Sequence, residues 1–150
     1  MIVVDANVLL YAYDAADPRH HRAASWLEGV LGGLDDVGLP LTTILAFVRI
    51  STDPRVYETP RDPEEVIGLV EEWLSRANVH LIGPTQRHWA TFGRLMVVGK
   101  VRGSLVMDAH VAALTVEHGA TLATTDRDFS RFPGLRTIDP TQVADTATGF

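Results

Sequence analysis

Residues 1–14, "MIVVDANVLLYAYD", set the reading of the whole chain. Four apolar residues run into Asp5, and apolar residues resume after Asn7. Aspartate has poor β propensity and is almost never fully buried without a partner. An aspartate that ends a buried strand therefore either caps a helix or faces a ligand. A second stretch repeats the pattern: "TLATTD" at 121–126 is a short apolar strand that stops on Asp126.

Working outward, strands and helices alternate. Residues 2–5 read as a buried strand, and Asp5 or Asn7 opens a helix. "PRHHRAASWLEGVLG" reads as a helix with Pro18 at its first position. "VGLP" is extended, and "TTILAFVRIST" is an apolar helix followed by the turn-rich loop "DPRVYETPR". "DPEEVIGLVEEWLSR" carries a start signal, with Asp62 as N-cap, Pro63 first and Glu65 closing a box-like arrangement. "NVHLIGP" reads as a strand, Thr85 to a stop at Gly99 as a helix, "LVMDAHVAALTVEHG" as an apolar helix ending at Gly119, and "LRTID" as a last strand. This alternation predicts an α/β/α sandwich around a mainly parallel sheet. Residues 1–140 form the expected single domain, and 141–150 a flexible C-terminal tail.

In such sheets ligand chemistry gathers beyond the carboxyl ends of the strands, so Asp5 and Asp126 converge if their strands are central and parallel. Asp108 is a third carboxylate, inside the apolar "LVMDAHVAAL". It is either a first-turn aspartate favoured by the helix dipole or a group pointing into the same cleft. Three carboxylates together repel and raise at least one pKa, and a divalent cation removes that repulsion. The chain has no cysteine and no histidine pair at metal spacing, so the oxygen donors favour Mg²⁺, with Mn²⁺ the alternative. Such a site activates water and holds a phosphodiester for in-line attack.

The composition fits that chemistry with one tension. The chain has 150 residues, 46% hydrophobic and 21% charged, as expected of a globular protein. Without cysteine, disulfide frameworks and thiolate sites are excluded. No signal-peptide pattern and no apolar run of about 18 residues is present, so the expectation is a cytoplasmic protein without a membrane segment. The net charge of -6 opposes nucleic-acid binding overall. Among the 13 basic residues Lys100 is the lone lysine, and arginine suits local bidentate phosphate contact. "GKVRGS", with Lys100 and Arg102, is the candidate phosphate contact, or else an ordinary solvated loop.

Other residues have two readings each. Asn7 caps a helix or bonds a metal's water shell. Asp128 caps a turn or adds a water-mediated contact, and Thr125 finishes a strand or supports the site. The six histidines receive no catalytic role: His110 lies about 200° round a helix from Asp108, and His88 reads as an exposed helix turn.

The segments "MIVVDANVLLYAYD", "LAFVRIST" with "PRV", and "GSLVMDAHVAALTVEHGATLATTDRDFSRFPGLR" resemble the PIN-domain family. They are most similar to the mycobacterial VapC toxins of type II toxin–antitoxin modules, over about residues 1–140. The resemblance implies a Mg²⁺- or Mn²⁺-dependent endoribonuclease, a hydrolase that cuts a structured RNA such as a tRNA or rRNA loop. It implies a cognate VapB-like antitoxin and a homodimer. It assigns metal binding and catalysis to Asp5, Asp108 and Asp126. Many members carry a glutamate in the third helix, where this chain has Ala46. That departure motivates the alternative, a catalytically weakened PIN-fold binding module. Receiver domains and haloacid-dehalogenase phosphatases fit poorly, because Asn7 stands where the latter need a second aspartate.

Overall fold

The N-terminal apolar run forms β1 (Ile2–Val4) in the computed structural model, which describes residues 1–142. Four more strands follow: β2 (Val37–Pro40), β3 (Val79–Ile82), β4 (Thr121–Ala123) and β5 (Thr137–Ile138). They make one five-stranded sheet ordered β3-β2-β1-β4-β5, and every pairing is parallel. Parallel neighbours need crossover connections, which the helices supply. These are α1 (Ala6–Ala12), α2 (His20–Leu31), α3 (Leu41–Ser51), α4 (Pro63–Leu74), α5 (His88–Val98) and α6 (Leu105–Glu117). A short 3-10 helix, Arg127–Arg131, lies between β4 and β5. The expected α/β/α sandwich is the observed fold. The tail expected over 141–150 lies outside the described residues from 143 onward.

The sheet has a core on each face because strand side chains alternate. Val4 points into a cluster with Leu9, Leu39, Phe47, Val66 and Trp73, under α1 to α4. Val3 points the other way, toward Leu95, Ala109, Ala112, Leu122 and Phe129. The indole Nε1 of Trp73 donates to the Tyr13 hydroxyl at 2.8 Å, so a large buried aromatic keeps its polar atom satisfied.

Several helix ends depart from the expected pattern. α2 begins at His20 rather than Pro18, because Asp17 Oδ1 takes the Arg19 amide in a local turn. α5 begins at His88 rather than Thr85, where Thr85 Oγ1 takes the Arg87 amide in the same way. Glu65 pairs with Arg61 instead of closing a box, and Asp62 caps α4 without a side-chain hydrogen bond. Gly119 ends α6 in the left-handed region, φ 62°. At the end of α5 that conformation belongs to Lys100, φ 50°, not Gly99. Gly99 is required for closeness instead: a Cβ there would lie 2.8 Å from the Leu95 carbonyl oxygen and 3.0 Å from the Phe132 ring.

Helices α5 and α6 enclose a buried polar chain. The Glu117 side chain has no solvent exposure. Its Oε1 accepts from the Thr85 amide at 2.8 Å, and its Oε2 lies 2.9 Å from His88 Nδ1. His88 Nε2 lies 2.9 Å from His110 Nδ1. His88 is thus half-buried with its side chain only 13% exposed, not the exposed residue expected, because helix phase turns it toward α6. Removing the Glu117 carboxylate leaves the Thr85 amide and the His88 ring without their acceptor. Glu117→Ala is expected to lower stability by about 2 kcal/mol, measured as a lower urea midpoint at unchanged slope. A midpoint equal to that of the wild type would contradict this account of the chain.

Candidate metal centre

Parallel register brings the carboxylates together. Val4 pairs with Ala123, so the next residues, Asp5 and Thr124, leave β1 and β4 side by side. The Asp5 amide donates to the Ala123 carbonyl at 3.0 Å, extending the ladder by one step. The Thr124 hydroxyl then donates to Asp5 Oδ2 at 2.7 Å and accepts from the Asp126 amide at 3.0 Å. The other Asp5 oxygen, Oδ1, accepts from the Ala6 amide at 2.8 Å and caps α1. Asp5 therefore caps a helix and faces the cleft at once. Thr124 and Thr125 both flank the strand end before Asp126, and the sequence favours Thr125; in the structure it is Thr124 that bonds Asp5. The signal for it is register: it stands after β4 as Asp5 stands after β1.

Asp108 lies in the first turn of α6, half-buried, and Asp126 caps the 3-10 helix by accepting the Asp128 amide at 2.8 Å. One carboxylate oxygen from each of Asp108, Asp126 and Asp128 lies within 4.8 Å of the others. Asp128 therefore stands in the cluster as well as in a turn. Asp5 lies outside that tightest trio, joined to it through Thr124. Thr125 is half-buried beside Asp126. The Asn7 amide nitrogen approaches Thr124 Oγ1 at 3.5 Å, and its Oδ1 is buried without a hydrogen-bond partner.

The cluster carries unbalanced charge. Burial, then the neighbouring charges of Asp126, Asp5 and Asp128, push Asp108 up to about 6. Burial also raises Asp5, opposed by its hydrogen bonds from Thr124 and Ala6. The nearby cation is Arg131, whose guanidinium donates to the Asp128 and Gly99 carbonyls. That second bond fastens the turn between α5 and α6 to the 3-10 helix. Lys100 and Arg102 are exposed on this turn.

Oxygen-only donors, mutual repulsion and an unpartnered buried amide oxygen suit a hard divalent cation. Beside the cluster, Asp5 and Asp108 share a cavity of about 420 Å³ with Thr42, Thr43, Ala46 and Arg49. Ala46 leaves open the space that a longer acidic side chain would enter.

Comparison with known proteins matches residues 2–135 to the PIN domain family. Ribonuclease VapC37 of Mycobacterium tuberculosis is 41% identical over 140 residues, covering 93% of this chain and 97% of that protein. Ribonuclease VapC33 of the same species is 36% identical over 141 residues, covering 93% of this chain and 98% of that protein. Among solved structures, VapBC-1 from nontypeable Haemophilus influenzae superposes with a TM-score of 0.68 at 19% identity. It covers 95% of this chain and 100% of that one.

The raised Asp108 has a testable consequence in metal-free buffer. The folded chain holds this proton up to about pH 6. An unfolded chain releases it near pH 4, so the folded state binds more protons between those values. This group therefore favours folding more as pH falls through that window, and opposes folding above it. Asp108→Asn is expected to raise the melting temperature at pH 7.5 in EDTA, with the gain shrinking by pH 5. A gain independent of pH, or none, would contradict the assignment.

Proposed function

The chain belongs to the PIN-domain family, and on that premise we propose that it is an endoribonuclease toxin of the VapC type, a divalent-metal-dependent hydrolase held in check by a VapB-like antitoxin. The observation that carries this reading is the convergence of Asp5, Asp108, Asp126 and Asp128 where two parallel strands end, with too little positive charge to balance them. The VapC ribonucleases at 41% and 36% identity support it.

Asp108, Asp126 and Asp5 are the residues proposed to hold Mg²⁺ or Mn²⁺, with Asp128 beside them. When bound, the ion supplies Lewis-acid activation of water and neutralises charge on the phosphodiester. Thr124 orients the site: its hydroxyl fixes Asp5 Oδ2 while the Asp126 amide fixes the hydroxyl. Asn7 Oδ1 offers an acceptor to a water proton in the cleft. Thr125 flanks Asp126 as a further hydroxyl. Lys100 and Arg102 provide phosphate contacts on a chain whose overall charge of -6 opposes RNA. The substrate is a structured RNA cut in a loop of the tRNA or rRNA kind, where unpaired bases are accessible.

A homodimer is the proposed assembly, and Leu41, Trp89, Val97 and Val98 leave exposed apolar surface for it. The antitoxin would lay a C-terminal segment across the cleft, with a cation against the carboxylates. Among the described residues no helix is long and apolar enough to cross a membrane. Action in the cytoplasm, where RNA and antitoxin are both present, is part of the proposal. Ala46 favours one second reading, a binding module with weakened catalysis.

The test is cleavage of total RNA by partner-free protein with Mg²⁺ or Mn²⁺, against EDTA and Asp5→Asn. Discrete metal-dependent fragments are expected, falling about 100-fold or more in the variant. No fragments from folded wild type under any of these conditions would favour the binding module.

A further inference from the structure

Helix α3 presents one continuous face to the cavity that Asp5 and Asp108 share: Thr42, then Leu45 and Ala46, then Arg49. Their spacing of three, four and seven residues places them in one stripe, about 10 Å from end to end. Leu45 and Met107, on opposite walls, are both more than half exposed. Met107 and Val111 complete an apolar side. The volume, about 420 Å³, suits a ligand of roughly nucleotide size.

The polar groups at the two ends are unused. Among the described residues the Arg49 guanidinium makes no hydrogen bond and meets no carboxylate within 4.0 Å. Asp53, the acidic residue nearest in sequence, is paired with Arg55 instead. At the other end the Thr42 and Thr43 hydroxyl oxygens are buried without partners, and Thr43 is only 2% exposed. Pro40, the cap residue of α3, offers its first turn no side-chain acceptor. A buried hydroxyl without a partner costs free energy, so an acceptor-rich ligand gains from entering.

We propose that this cavity is a nucleotide subsite next to the scissile bond, in which Arg49 binds the neighbouring RNA phosphate and the first turn of α3 receives the other end of the nucleotide. The inference rests on the ribonuclease reading above. An RNA strand with one phosphate at the carboxylates must run its next nucleotide along an adjoining groove. This groove adjoins, shares Asp5 and Asp108, and carries a free guanidinium shaped for two phosphate oxygens. Leu45, Met107 and Val111 supply the apolar surface that a ribose or base face needs. Ala46 has a role here, since a carboxylate at that position would fill the space and repel the phosphate.

The experiment measures binding of a short fluorescein-labelled single-stranded oligoribonucleotide to the full chain by anisotropy. Ca²⁺ replaces Mg²⁺, and salt is varied between about 50 and 200 mM. Arg49→Gln is expected to weaken binding about tenfold and to reduce the slope of log affinity against log salt by about 0.7, one phosphate contact on a single strand. Arg49→Lys should restore the slope but only part of the affinity. Thr42→Val should weaken binding severalfold with the slope unchanged, because it removes a hydrogen bond and no charge. In cleavage assays with Mg²⁺, Arg49→Gln should raise KM far more than it lowers kcat. Affinity, slope and KM equal to wild type in Arg49→Gln would overturn the proposal. So would a fall in the mass of the assembly with RNA binding per chain unchanged, which would assign the face to a second copy. If wild type cleaves RNA and Arg49→Gln is indifferent, the subsite alone fails. If wild type binds with the Arg49-dependent slope but never cleaves, the nuclease reading fails and takes the subsite with it, leaving only an RNA-phosphate contact at Arg49.

Discussion

A hydrogen bond of 2.7 Å from the Thr124 hydroxyl to Asp5 Oδ2 joins the ends of two adjacent parallel strands, and the candidate site is organised around it. It exists because β1 and β4 are neighbours with Val4 opposite Ala123. A shift of one residue in either strand would turn the hydroxyl to the other face of the sheet and separate the carboxylates. The same register lets Asp5 cap α1 and lets Asp126 start the 3-10 helix that carries Asp128. Strand pairing, helix initiation and site geometry are thus parts of one local structure.

The two acidic environments in this chain show what the fold satisfies and what it leaves open. Glu117 is fully enclosed, and both its oxygens have partners, the Thr85 amide and the His88 ring. Asp108 is half-buried among other carboxylates, and its pKa moves up to about 6. The first is a structural group whose desolvation is compensated within the protein. The second is left for something that arrives from solvent. Arg49 is the cationic counterpart, placed in the adjoining cavity without a partner among the described residues. A chain of net charge -6 can meet a polyanion only through such local arrangements.

Much of this was readable in the residues. The alternation of strands and helices identified the α/β/α sandwich, and two apolar runs that stop on aspartate marked the sheet edge where Asp5 and Asp126 lie. Asp108 was visible as a charge early in an apolar helix. Other features were not. Thr124 and Thr125 are alike in sequence, and only their register separates the hydroxyl that bonds Asp5 from its neighbour. The half-buried position of His88 depends on α5 starting three residues later than Thr85 and on its docking against α6. The cluster role of Asp128 depends on a single 3-10 turn bringing it back toward Asp108.

Local sequence by itself determined the short strands and the candidate carboxylates, because hydrophobic periodicity and side-chain-to-backbone hydrogen bonds act over a few residues. Tertiary structure alone decided which carboxylates share a site, which hydroxyl supports them and which side of α3 opens onto them. Those outcomes depend on strand order and helix docking between residues more than a hundred positions apart, as with Asp5 and Thr124. No local propensity encodes such a distance; it is set when the sheet and its two cores assemble.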